Sequence, residues 1–220
     1  MKTLILDSST PVPFVALLEN DKIIFYKELA SSQPSSKHLL PLIESAPIDH
    51  LDQIMCGCGP GSYTGIRIAL SIAKGLSYAL KIPLIAFDAL NCIRSEKQGT
   101  FYALLDAKSS GFYVAKNHYD IHLTPIEKSE VLTKEQLLEK SFDFLVALTP
   151  QPIEQRLGIK VEKGFFDPQS FKHFLNNEKI SVLDPFPIRY LDVSRYTRVS
   201  MLIDLLIELL HPYIAHMPAF

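Results

Sequence analysis

Gly57-Cys58-Gly59-Pro60-Gly61-Ser62-Tyr63-Thr64-Gly65-Ile66-Arg67 joins a short apolar strand, Ile54-Met55-Cys56, to a long apolar helix. Glycine and proline at this density make a backbone that reaches positive φ and lets another stretch of chain come close. Such a loop between strand and helix often cradles phosphate. The P-loop needs a Lys after its last glycine to reach the β- and γ-phosphates, but here Ile66 follows Gly65 and the glycine spacing differs. The dinucleotide fingerprint starts well with Gly57-x-Gly59, yet Ser62 stands where a third glycine must pack helix on strand. Gly61-Ser62-Tyr63 also lacks the rest of a nucleophile elbow. A plain structural turn stays open as a reading.

The helix that follows, 63–80, places Arg67, Ser71, Lys74 and Ser77 or Tyr78 at spacings of three and four, one narrow polar stripe. The remaining positions are apolar or small, far more than the arc of about 100° that packing on one sheet requires. Two readings follow. Helix 63–80 is a central core helix, or it forms a docking surface with helix 36–46, where Ala69 and Ala73 admit a partner helix closely. Helix 36–46 is capped by Ser35 or Ser36, carries Leu39, Leu42, Ile43 and Ala46 on one side, and contains Pro41.

Around these elements the pattern predicts strands over 3–7, 12–18 and 23–29, with Asn20-Asp21 as a turn, then strands 52–58 and 83–86. Asp88 is expected to cap a helix to about Lys97. The order β-β-β-α-β-α-β-α implies an α/β fold, a mixed sheet with helices on its faces. A second unit begins near Gln98-Gly99, with strands 101–106 and 112–119 about a Ser110-Gly111 turn. Further on come a Thr133-x-x-Gln136 capping box, strand 143–148, a helix near 168–176, a Pro185/Pro187 link and a final helix 195–211.

The chain has 220 residues, 47% apolar and 21% charged, with net charge −2 and no basic block, so it is not expected to grip nucleic acid alone. Three cysteines without a C-x-x-C pair fit a reducing cytoplasm, and Cys56 and Cys58 read as small apolar residues. The start meets Asp7 too early for a signal peptide. Residues 201–210 are very apolar but far short of the roughly 20 needed to cross a bilayer, so they are expected to pack on protein.

Asp7-Ser8-Ser9-Thr10 follows the first strand in the manner of the phosphate loop of actin-like and sugar-kinase ATPases, where a carboxylate holds metal. Asp106-Ala107-Lys108-Ser109-Ser110-Gly111 is the matching place in the second half. A working clamp wants glycines directly after the Asp, so that backbone N–H groups face the anion. His118, Asp120 and His122 share one side of a strand and could hold a metal, although an exposed strand end is the plainer reading. His38 has no partner one turn on, at Leu42, and reads as a capping or interface residue.

Leu4-Ile5-Leu6-Asp7-Ser8-Ser9, His38-Leu39-Leu40-Pro41-Leu42-Ile43 and, above all, Gly59-Pro60-Gly61-Ser62-Tyr63-Thr64-Gly65-Ile66-Arg67-Ile68 with Ala73-x-Gly75-Leu76 resemble the TsaB (YeaZ) family. Asp106-Ala107-Lys108 followed by Phe112-Tyr113-Val114 looks like that family's second strand pair; the likeness is strong over 1–115 and faint from about 120. The resemblance implies an actin-like (ASKHA, ribonuclease H-like) two-lobe fold, with an N-terminal lobe over 1–99 and a smaller divergent one over 100–220. It implies a cytoplasmic, non-catalytic subunit required for threonylcarbamoyl transfer to adenosine-37 of ANN-decoding tRNAs. A TsaD-type subunit with a His-x-x-x-His metal site would catalyse, a TsaE-type ATPase would assist, and ATP/ADP and metal would sit on those partners, with no cofactor or metal in the isolated chain. tRNA would be reached only through the complex, and the isolated chain could form a homodimer. Expected partner contacts are His38, Leu39, Leu42, Ile43, Tyr63, Ile66, Ala69, Leu70, Ala73 and Leu76. Gly59, Pro60, Gly61, Ser62, Thr64, Gly65 and Arg67 form the motif loop, while Asp7, Ser8, Ser9 and Asp106 are vestiges of phosphate loops. The rival reading is an actin-like ATPase or kinase, or a peptidase, active on its own.

Overall fold

The structure, a computed structural model, describes residues 1–180 apart from 21, 31, 168 and 176–178. Three antiparallel strands open it: β1 (Lys2–Asp7), β2 (Phe14–Glu19) and β3 (Lys22–Glu28). Helix α1 (Ser35–Glu44) leads to β4 (Gln53–Gly57), helix α2 (Tyr63–Leu80) and β5 (Leu84–Phe87), and both strands run parallel to β1. Next come β6 (Ile93–Arg94), the long hairpin β7 (Gly99–Asp106) and β8 (Phe112–Tyr119), then β9 (Leu123–Pro125) and β10 (Glu130–Leu132). The chain continues through α3 (Lys134–Leu138), β11 (Phe144–Ala147), α4 (Pro150–Leu157), β12 (Glu162–Lys163), β13 (Phe165–Phe166) and β14 (Lys179–Ile180).

The strands form a first sheet in the order β14-β5-β4-β1-β2-β3 and a second in the order β10-β8-β7-β11-β12, with β9 beside β8. Strand β1 is buried along its whole length, which explains its unbroken Leu4-Ile5-Leu6 run, for a strand covered on both faces needs no polar alternation. Leu4 and Leu6 point to one face with Leu17, Ile54 and Cys56, against Leu39, Leu42 and Ile43 of α1 and Ala69, Leu70 and Ala73 of α2. Ile5 points to the other, with Phe14, Met55 and Phe87, and meets Phe101, Ala103 and Val146 of the second sheet. A third cluster, including Tyr102, Leu104, Leu137, Ile153 and Leu157, lies between the second sheet and α3 and α4. The order of layers is therefore helices, sheet, sheet, helices.

Several expectations need correction. Asp88 caps as expected, accepting from Leu90 N at 3.0 Å, but only a 3-10 turn over Ala89–Cys92 follows. Ile93 and Arg94 then extend to pair with Phe166 and Phe165, a non-local contact that overrides local helix preference. The helix near 168–176 is a 3-10 segment, Ser170–Phe174. Helix α1 is capped by Pro34 without a side-chain bond, and Ser35 is already its first residue. The Thr133/Gln136 capping box is present and opens α3. Helix α4 has no counterpart in the sequence reading. The expected helix 195–211 and the Pro185/Pro187 link lie outside the described residues.

Candidate functional site

The glycine loop is bolted to the loop after β1. Ser62 N donates to Ser9 O at 2.6 Å, and Ser8 Oγ donates to Gly65 O at 2.6 Å. A Cβ on Gly61 or Gly65 would overlap the carbonyl oxygens of Ser9 and Ser8, so backbone-on-backbone approach is what demands glycine there. Gly61 also sits at φ +146°. Ser62 caps α2 through Gly65 N at 3.1 Å, and its carbonyl accepts Ile66 N. The amides of Ser62, Gly65 and Ile66, which would face an anion in a phosphate cradle, are thereby committed within the protein.

Asp7 is fully buried under this junction. It accepts from Ser9 Oγ at 2.6 Å, from Ser9 N and Thr10 N, and from Thr10 Oγ1 at 3.2 Å. Burial pushes its carboxyl above the usual range, and these donors offset part of that. It holds the turn rather than reaching outward.

A cleft of about 530 Å³ opens between the two halves, lined by Ser9, Thr10 and 61–64 on one side and by Leu105, Asp106, Lys108, Ser109, Tyr113 and Ile153 on the other. The structure thus brings Ser9 and Asp106 to one cleft, as two phosphate loops would be, and leaves Asp7 out of its lining. Asp106 is held by Arg156 of α4 in an ion pair, with Lys108 at 3.4 Å. Arg156 also donates to Lys108 O at 2.8 Å and lies over the Phe112 ring at 4.6 Å. Fifty residues separate Arg156 from Asp106, and the sequence holds no local signal joining them. His118, Asp120 and His122 make no metal centre, for no group of three metal-ligating side chains exists among the described residues. His118 Nδ1 pairs with Thr100 Oγ1 at 3.0 Å, and Asp120 accepts backbone N–H groups from Ile121 and His122.

The second candidate place is the surface of α1 and α2. Of the expected partner contacts, Leu39, Leu42, Ile43, Ile66, Ala69, Leu70 and Ala73 are buried in the chain's own core, and Ala69 and Ala73 are completely inaccessible. Leu39, Leu42 and Ile43 of α1 and Ala69, Leu70 and Ala73 of α2 pack in one cluster with the first sheet rather than facing outward. Ser77 is likewise buried, donating to Ile82 O at 2.6 Å, and leaves the polar stripe. His38, Tyr63 and Leu76 are half-buried. The outward strip of α2 consists instead of Thr64, Ser71, Gly75 and Ala79, bordered by half-buried Ile68 and Ile72 and by Arg67, whose guanidinium lies 3.9 Å over the Tyr63 ring. Helix α1 packs beside α2 and turns Leu40 outward, 47% exposed. Ser71, Gly75 and Ala79 are four residues apart, a signal that was readable in the sequence. No helix among the described residues is long and apolar enough to cross a membrane.

The family described as "TsaD: tRNA N6-adenosine threonylcarbamoyltransferase" matches residues 30–148, from the end of β3 through β11. The "tRNA threonylcarbamoyladenosine biosynthesis protein TsaB" of Bacillus subtilis is 32% identical over 73% of this chain and 78% of its own. The TsaB protein of Haemophilus influenzae is 29% identical over about half of each chain, 51% and 52%. Among solved structures, "YeaZ from Pseudomonas aeruginosa" superposes with a TM-score of 0.64 at 21% identity, over 82% of this chain and 95% of that one. An uncharacterised Pseudomonas aeruginosa protein with similarity to peptidase YeaZ gives 0.67 at 18%, over 85% and 98%. The two facing sheets are therefore the actin-like (ASKHA) fold of the YeaZ structures. With that fold, the committed glycine loop and an extended match to the Bacillus protein, the chain belongs to the TsaD-type domain family and, within it, to the TsaB proteins.

Proposed function

We propose that this chain serves the formation of threonylcarbamoyladenosine at position 37 of ANN-decoding tRNAs as a docking subunit for a TsaD-type transferase, and transfers nothing itself. The observation that carries the reading is the outward strip of α2, small residues at Thr64, Ser71, Gly75 and Ala79 with apolar flanks, beside α1. Helices approach closely where the contact side chains are small. The two carboxylates an ATPase would use support it from the other side. Asp7 is enclosed by its own turn and Asp106 is tied to Arg156.

In this reading ATP, ADP and metal belong to the partners, a TsaE-type ATPase joins the complex, and tRNA is reached through the complex in the cytoplasm. A homodimer of the isolated chain would use the same face. Mixing the purified chain with a TsaD-type subunit is expected to give a heterodimer by calorimetry and gel filtration. Gly75→Arg should abolish it without unfolding the chain, because a charge is driven into the seam. Unchanged binding and unchanged tRNA modification in that variant would refute the interface. Cells depleted of the protein are expected to lose threonylcarbamoyladenosine from their tRNA.

The cleft of about 530 Å³ favours one rival, an ATPase acting alone. Micromolar Mg-ATP binding with turnover by the isolated chain that disappears in Asp106→Asn, a residue lining the cleft, would establish it and sink the docking-subunit reading.

A further inference from the structure

The two walls of the cleft differ in what they offer a ligand. On the first, Ser9 Oγ and Thr10 Oγ1 donate to the buried Asp7 carboxyl, so these hydroxyls can meet a ligand only as acceptors. Ser9 N and Thr10 N also turn to Asp7, and Ser62 N turns to Ser9 O. That wall suits a group that donates. The second wall is the reverse. Asp106 and Lys108 are its charged lining residues, and Asp106 pairs with both Lys108 and Arg156. Two cations on one carboxylate leave one positive charge in excess, and the Lys108 side chain is 83% exposed.

Lys108 is also held in an uncommon backbone shape. It lies at φ +58°, fixed by Lys108 N donating to Asp106 Oδ1 at 2.7 Å and by Arg156 Nη2 donating to Lys108 O at 2.8 Å. A side-chain-bearing residue is strained in the left-handed region, and such positions gather at ligand sites. We propose that the cleft binds a small carboxylate carrying a hydroxyl or an ammonium group, with the carboxylate at Lys108 and the donor at Ser9 and Thr10. The volume of about 530 Å³ falls in the range of small-molecule sites. A polyphosphate does not match this chemistry. One surplus positive charge leaves most of its negative charge unmet, and the amides that a phosphate cradle uses are committed within the protein. The proposal goes beyond the docking reading and stands without it.

The test follows amide spectra of the full, isotope-labelled chain during titration with glycerate, serine and glycerol. Glycerate or serine is expected to shift the amides of Ser62 and Thr64 on one wall and of Lys108 and Ser109 on the other, saturably. The tighter binder of the two identifies the donor as hydroxyl or ammonium. Lys108→Met keeps an unbranched side chain and should weaken binding about tenfold through loss of a charge-assisted bond, and Lys108→Arg should restore it. Glycerol, without charge, is expected to give no saturable shift. A Gly75→Arg chain should bind the probes like the parent whether or not it binds a TsaD-type subunit, so failure of either reading is seen separately. Absence of saturable shifts with both carboxylates overturns the proposal, as does equal binding by Lys108→Met or of glycerol. Tripolyphosphate binding about tenfold tighter than either carboxylate would overturn it too, by showing a site for polyphosphate.

Discussion

At the scale of single residues, two glycines of α2 carry opposite meanings. Gly65 lies where any Cβ would strike the Ser8 carbonyl, whereas Gly75 faces open space in mid-helix. Gly65→Ala is expected to destabilise by about 1–3 kcal/mol as overpacking forces the two loops apart. Gly75→Ala should stabilise by about 0.5–1 kcal/mol, since nothing opposes the gain in helix propensity. Urea denaturation midpoints check both, and a Gly65→Ala variant as stable as the parent would disprove the bolted loop. Asp7 makes a second prediction. Its folded carboxyl is raised above 3.8, chiefly by burial. The folded state then keeps the proton longer than the unfolded chain, so the favourable contribution is complete below 3.8 and is lost as pH rises through the folded value. In Asp7→Asn that share of the pH dependence is expected to vanish, leaving the variant gaining on the parent as pH rises from 4 towards neutrality. The glycine motif itself was legible in the chain. What its glycines touch was not, because the Ser8 and Ser9 carbonyls belong to a loop more than fifty residues earlier.

Among the elements, those built from local periodicity were readable and those completed by distant pairing were not. Helix α2 begins and ends where its cap and apolar spacing put it, at Tyr63 and Leu80. Helix α4 carries Pro150 and Pro152 in its first turn, where no intrahelical donor is needed, so its start shows no Ser, Asp or Asn cap to mark it. The short strands β6, β12, β13 and β14 hold two residues each and exist only through partners far along the chain, so no window of sequence could show them. The outward face of α2 was half legible. Its excess apolar surface was visible, but which residues the sheet and α1 consume was not; Ala69 and Ala73 are among those fully buried. Helix α4 also holds the loop 106–111 through Arg156, whose side chain is 37% exposed. Arg156→Met should therefore cost only about 1 kcal/mol, discounted for solvent. Its clearer mark is expected in hydrogen exchange. Ala107 N, which donates to Gly111 O, should exchange faster while α2 amides stay as they were. Unaltered exchange at Ala107 would show that the loop keeps its shape without the arginine.

For the molecule as a whole, the important fact is that the two sheets share a core. Ile5, Phe14, Met55 and Phe87 from the first sheet pack in one cluster with Phe101, Ala103, Ala115 and Val146 from the second. Phe166 and Phe171, close to the end of the described chain, pack on Phe14 with ring centroids 4.5 and 5.5 Å away, the first tilted and the second stacked. Strand β14 returns to the edge of the first sheet as well. A boundary near residue 99, drawn from the shift in sequence pattern, is thus a boundary between sheets and not between independent cores. Separating the halves there would expose the whole inner face of the first sheet to water, with each large apolar side chain losing about 1.5–3 kcal/mol. A domain's net stability is only about 5–15 kcal/mol, so a handful of such losses is enough to unfold it. A fragment of residues 1–99 is therefore expected to show no cooperative thermal transition by circular dichroism. The full chain should unfold in one step, with tyrosine fluorescence and far-ultraviolet dichroism coincident in urea. Two resolved transitions, or a folded 1–99 fragment, would show that the first sheet closes a core of its own. The proposed docking face on α1 and α2 would then be portable without the second sheet.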